Sequence, residues 1–162
     1  MHLQGWCHPH RKIELLPGKA AFKITQSITS DKPVKGRATR LHPSFAVPDT
    51  NQAELYAKTL LKWKHWELAR PNAPQGEHEL WFKGIGIEDR IHGAWAILDK
   101  TTHTVLLNTF TDSTDFCYLN WNGKDRRINL EQWGKTVDLE PGKTSTIETT
   151  YELLPLSRAP WK

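Results

Sequence analysis

A chain of 162 residues has the length of one ordinary domain, and the whole of 1–162 is read here as a single one. It is 38% hydrophobic and 25% charged with a mean hydropathy of −0.61, but eight Trp, five Phe and three Tyr supply enough apolar area to exclude a disordered chain. The net charge of +4 is mild and its Lys and Arg are scattered, which argues against a nucleic-acid partner, and no apolar run reaches the roughly 18–20 residues of a membrane span.

The first elements alternate. From Arg11 to Ile28, apolar Ile13, Leu15, Ala21, Phe22 and Ile24 flank Pro17-Gly18, which predicts strand, turn, strand. Pro33 and Gly36 interrupt the chain. Arg40 to Val47 then reads as a short strand carrying a proline, the signature of an edge, an end or a bulge. Asp49 to Leu68 is expected to be the one inserted α-helix. Ala53, Tyr56, Ala57, Leu60 and Leu61 recur at three-and-four spacing, and Asp49 or Thr50 can cap it. Lys62, Lys64 and His65 would be its wet face. A loop from Arg70 to Gly76 follows.

Period two then returns. Glu79–Phe82 is a predicted strand, and Gly84 and Gly86 mark a bend. Three hairpins are expected: Gly93–Leu98 with Thr104–Phe110, Phe116–Trp121 with Ile128–Trp133 about Asn122-Gly123, and Val137–Leu139 with Thr144–Leu154. The fold class predicted is mainly β: an antiparallel β-sandwich with one α-helix. Ile13-Glu14-Leu15-Leu16-Pro17-Gly18-Lys19 is echoed by Val137-Asp138-Leu139-Glu140-Pro141-Gly142-Lys143, read as two hairpins that share turn chemistry.

Other chemistries find little footing. Cys7 and Cys117 share no paired spacing and are expected to be reduced thiols. The first residues lack the basic-then-apolar pattern of a signal peptide, so the expected location is cytoplasmic, unless the chain is a mature piece of something longer. Eight histidines include His8-Pro9-His10, yet no zinc spacing occurs, so no metal is expected. There is no Gly-x-Ser-x-Gly elbow, and Gly84-Ile85-Gly86 is a lone fragment of a dinucleotide fingerprint. No cofactor is expected.

His42 and Glu131 are the stronger candidates. Along Ile128-Asn129-Leu130-Glu131-Gln132-Trp133, alternation places Glu131 on one face with Asn129 and Trp133, opposite Ile128 and Leu130. An acid, an amide and an indole projecting together suit a sugar-binding face; a solvated outer face has the same pattern.

Leu41-His42-Pro43-Ser44-Phe45 resembles the aldose 1-epimerase (galactose mutarotase-like) motif whose His is the catalytic acid. Leu130-Glu131-Gln132, then Leu139-Glu140-Pro141-Gly142, then Thr146–Leu153 are similar to that family's C-terminal order: a catalytic Glu, a turn and a last strand. The chain thus resembles the C-terminal part of such a domain, whose first half supplies another His and an Arg. The resemblance implies Glu131 as base and His42 as acid in anomer interconversion, without a cofactor. Trp133 or Trp121 would stack on the sugar, and Arg40 or Arg90 would hold its hydroxyls. The implied partner is a sugar or oligosaccharide, without nucleic acid or membrane. Three further readings stand beside it: a non-catalytic carbohydrate-binding sandwich, part of a larger polysaccharide-active enzyme, and a subunit whose open sheet edges pair with another chain, including a second copy.

Overall fold

The computed structural model of the chain describes residues 7–70, 76–82 and 90–162. In chain order the strands are β1 (Cys7–Leu15), β2 (Ala21–Ser30), β3 (Val34–Arg37), β4 (Arg40–Leu41), β5 (Ser44–Ala46), β6 (Ala53–Lys58) and β7 (Trp63–Glu67). They continue as β8 (Glu77–Phe82), β9 (Ala94–Asp99), β10 (Thr104–Phe110), β11 (Thr114–Asn122), β12 (Arg127–Gly134), β13 (Val137–Leu139) and β14 (Thr144–Pro155). A seven-stranded sheet runs β1-β2-β14-β10-β9-β6-β7, and a five-stranded sheet is built from β4 and β5, then β12, β11 and β8. Every described ladder is antiparallel.

The two large sheets share one core. Leu55, Trp95, Ile97, Ile147 and Tyr151 from the larger meet Leu41, Phe82, Leu119, Trp121, Ile128 and Leu130 from the smaller. A buried polar knot ties them together. Asn108 on β10 accepts from Trp95 Nε1 and from Gln132 Nε2 (2.8 Å), and donates to the Thr150 carbonyl at 3.0 Å. Its amide is satisfied by both sheets, as burial demands. The outer face of the larger sheet carries a second cluster of Ala96, Leu98, Val105 and Leu154. The C-terminal segment covers it, with Trp161 stacked on Tyr56 at 3.9 Å.

The expected helix at Asp49–Leu68 is not formed, and the described residues contain no α-helix. Asp49 does act as a cap, accepting from the Asn51 amide at 2.9 Å, but only for a single 3-10 turn at Thr50–Gln52. The rest is the β6–β7 hairpin. Ala53, Leu55 and Ala57 also satisfy period two: they are buried, while Glu54, Tyr56 and Lys58 face the other way. Pairing of β6 with β9 decides between the two periods, because it buries Ala53, Leu55 and Ala57 in the shared core. Leu60 and Leu61, counted toward the helical stripe, are exposed at the turn. Lys64 and His65 accordingly lie on a strand.

The first two expected later hairpins form. In the β11–β12 turn, Asn122 Oδ1 accepts from the Lys124 and Asp125 amides, and Arg126 takes the left-handed conformation expected of a glycine. The third differs: β13 pairs with β3, not with β14. The Pro-Gly echo is shared turn chemistry, for Gly18 and Gly142 both have φ near +75° (73° and 76°), as the third residue of a type II turn requires. The Gly84/Gly86 bend and most of the Arg70–Gly76 loop lie outside the described residues. Cys7 and Cys117 are both free thiols.

Candidate active site

The site stands on the open face of the five-stranded sheet. Leu41 pairs with Gln132 and Phe45 with Ile128, so β4 and β5 keep a single register on β12. Pro43 lies between them. It has no N–H to give the ladder and splits one strand into two short ones. In that register His42 falls opposite Glu131. Tyr118 pairs with Glu131 from the other side, and Trp81 pairs with Tyr118. His42, Glu131, Tyr118 and Trp81 therefore form one row across the sheet. Arg40, Trp133 and Phe116 form the next row on one side, and Ser44, Asn129, Asn120 and Glu79 on the other.

Glu131 is 1% exposed, so its charge depends on its neighbours. Its Oε2 accepts from Arg40 Nε at 2.8 Å and Nη2 at 2.6 Å. Its Oε1 faces His42 Nε2 at 3.1 Å. Arg40 Nη2 also meets His42 Nδ1 at 3.0 Å. An arginine only donates, so Nδ1 must accept and the ring proton sits on Nε2, directed at Glu131. Arg40 thus orients both partners. Its guanidinium lies 4.7 Å over the Trp133 ring, and Trp133 stacks on Phe116 at 5.4 Å.

The polar floor continues from this group. Ser44 Oγ donates to Asn129 Oδ1 at 2.6 Å, and Asn129 Nδ2 donates to Asn120 Oδ1 at 3.0 Å. Tyr118 donates to Glu79 Oε2 at 2.8 Å. Burial and that hydrogen bond push the phenol up to about 12, with the Glu131 charge contributing. Arg127 and Glu77, paired at 3.4 Å, close the far end of the cleft.

Five of the seven residues singled out from sequence thus meet here: Arg40, His42, Asn129, Glu131 and Trp133. Two do not. Trp121 is on the opposite face of β11, 1% exposed, with its indole donating to the Leu68 carbonyl at 3.0 Å. Strand alternation sets it in the core once Asn120 faces the cleft. Arg90 is held by Asp115 at 2.7 Å and does not line the cleft. Ser44, Tyr118 and Asn120 also line the cleft and are not singled out by the sequence; Trp81 stands beside it, outside the lining. Period two marks Trp81 and Glu79 as facing together, but only the register of β8 on β11 brings them to this row. No group of three metal-ligating side chains occurs among the described residues.

No family model matches the sequence, and no curated protein matches it. Solved structures do match by fold. A putative aldose 1-epimerase from Escherichia coli K12 is 15% identical with a TM-score of 0.65, over 96% of this chain and 63% of that one. The Slr1438 protein from Synechocystis sp. PCC 6803 is 13% identical, with a TM-score of 0.66, over 90% and 54%. A galactose mutarotase-like protein from Clostridium acetobutylicum is 11% identical, with a TM-score of 0.55, over 84% and 53%. The chain therefore shares its fold with aldose 1-epimerase and galactose mutarotase-like proteins, and spans little more than half the length of most of them.

Proposed function

We propose that the chain is the sugar-handling part of a mutarotase-like β-sandwich, and that Glu131 and His42 interconvert the anomers of a free sugar. The observation that carries this is the Arg40–Glu131–His42 triangle: a buried carboxylate and an imidazole 3.1 Å apart on an open, polar sheet face.

The anomeric hydroxyl and the ring oxygen are bonded to one carbon. A base and an acid that both reach that carbon's oxygens must be close neighbours, each within about 2.6–3.2 Å of its own proton. Glu131 removes the proton from the C1 hydroxyl. The C1–O5 bond breaks, its electron pair goes to O5, and C1 becomes a carbonyl. His42 delivers a proton to O5. Rotation about C1–C2 and the reverse steps give the other anomer and return both protons. His42 must enter as the imidazolium, so Arg40 Nη2 has to leave Nδ1, since two donors cannot face each other. The anomeric carbon takes the place of the direct His42–Glu131 contact. Trp133 then serves as the seat of Arg40 and Asn129 as a hydroxyl ligand.

Polarimetry on freshly dissolved α-D-glucose and α-D-galactose tests this. The wild-type chain should hasten the approach to equilibrium, and His42→Ala and Glu131→Gln should each cost about 10²–10⁴-fold. A wild-type rate equal to buffer rejects the reaction. A non-catalytic sugar-binding surface is the second reading, favoured by the same 3.1 Å contact, because Arg40 and His42 already satisfy Glu131. Sugar binding without rate acceleration would select it.

A further inference from the structure

We infer that the sheet face beside the cleft carries a second subsite, centred on Trp81, that takes the residue next to the reducing end of an oligosaccharide. This rests on the reading above, in which the anomeric carbon sits at Glu131 and His42.

The register supplies the distance. Trp81, Tyr118 and Glu131 are directly paired on three adjacent strands with side chains on one face. Adjacent strands are about 4.8 Å apart, so Trp81 stands roughly 10 Å from Glu131 along the row. That is about the reach from the anomeric carbon of one sugar to the ring of the next. Trp81 is 53% exposed. Its ring packs on Tyr118 at 4.1 Å, with Phe116 at 6.2 Å, which fixes the indole while leaving half of it in solvent. An isolated exposed indole is ordinary. This one continues the row of the candidate acid and base, and it is bordered by hydrogen-bonding groups. Glu79 accepts from Tyr118 with lone pairs to spare, and Asn120 and Asn129 lie in the adjoining row. A flat apolar ring edged by a carboxylate and amides fits a pyranose, whose axial C–H face is apolar and whose rim is hydroxyl.

The chemistry fixes the polarity of the chain. Mutarotation needs a free C1 hydroxyl, so the bound sugar must be the reducing end, and the next residue is joined through one of its other hydroxyls. That residue is the one directed along the row over Tyr118 to Trp81. The substrate class is therefore a short reducing oligosaccharide in preference to a monosaccharide. An aromatic contact of this kind contributes about three- to tenfold in affinity.

Titration calorimetry of the 162-residue chain with D-glucose, D-galactose, maltose, cellobiose and lactose, beside polarimetry on the same sugars, tests the subsite. At least one disaccharide should bind about three- to tenfold tighter than its reducing-end monosaccharide. Trp81→Ala should abolish that advantage and leave monosaccharide affinity and turnover unchanged, while Trp81→Tyr keeps most of it. The exposed position makes either variant tolerable to the fold, and circular dichroism checks this. Monosaccharide binding or turnover with no disaccharide advantage, or an advantage indifferent to Trp81→Ala, overturns the subsite and leaves the proposed reaction standing. Absence of binding and turnover with every sugar overturns both.

Discussion

Replacing Arg40 by alanine isolates the electrostatics of the site. Glu131 is 1% exposed, and Arg40 gives it two hydrogen bonds of 2.6 and 2.8 Å. Two unit charges about 4 Å apart interact by roughly 4 kcal/mol at an effective dielectric constant near 20. Removing one partner of a fully buried pair costs about 3–5 kcal/mol. Arg40 is itself 40% exposed, so water enters the vacated space and lowers the loss to about 2–3 kcal/mol. At this chain length each kcal/mol shifts Tm by roughly 2–4 °C, so a fall of about 5–10 °C is expected. Arg40→Ala combined with Glu131→Gln removes the stranded charge. The double variant should recover at least about 1 kcal/mol relative to the summed single losses. Urea denaturation of wild type, both single variants and the double variant measures the cycle. A loss below about 0.5 kcal/mol for Arg40→Ala, with no coupling to Glu131→Gln, would mean an ordinary surface ion pair and would refute the role given to Arg40.

The remaining predictions concern the scaffold. A Cβ on Gly134 would sit 2.7 Å from Ile147 Cγ2 and 3.3 Å from the Thr39 carbonyl, so Gly134→Ala should lose about 1–3 kcal/mol in the same urea assay; unchanged stability would contradict the packing. All three tyrosines have phenols pushed up, Tyr56 and Tyr118 to about 12 by burial and their carboxylate partners and Tyr151 further by burial, so absorbance at 295 nm should show no tyrosinate at pH 10. Half-ionisation there would refute it; since the folded state holds the neutral phenols, their contribution to stability is complete below pH 10 and is lost as the pH rises toward 12. Burial raises the Glu54 carboxyl, but hydrogen bonds from Lys100 and Tyr56 outweigh it and leave it below 4.5. Its stabilisation is therefore present above pH 4.5 and is lost as the pH falls through the lowered value, so Glu54→Gln should cost about 1 kcal/mol at pH 7 and nothing in strong acid. An equal deficit at both pH values, in thermal melts, would show that charge is not the cause.

Local sequence determined a good deal of this protein. Period two identified β12 and put Asn129, Glu131 and Trp133 on one face, because a pleated strand permits no other arrangement. Pro17-Gly18 and Pro141-Gly142 specified the same turn, because a type II turn needs proline's φ and glycine's left-handed freedom. What lay beyond reach was pairing between distant segments. Ala53–Lys58 satisfied helical and strand periods alike, and only β9 resolved the ambiguity. Trp121 and Trp133 looked equally fit to stack on a sugar, until the ladder with β12 turned one into the core and the other to the cleft. The row His42–Glu131–Tyr118–Trp81 joins segments up to 89 positions apart, namely residues 42, 81, 118 and 131. Its order exists only in the register of four strands. Side-chain alternation is a property of one strand and can be read along it, whereas register depends on which strands meet, and the shared core settles that only when the whole chain folds.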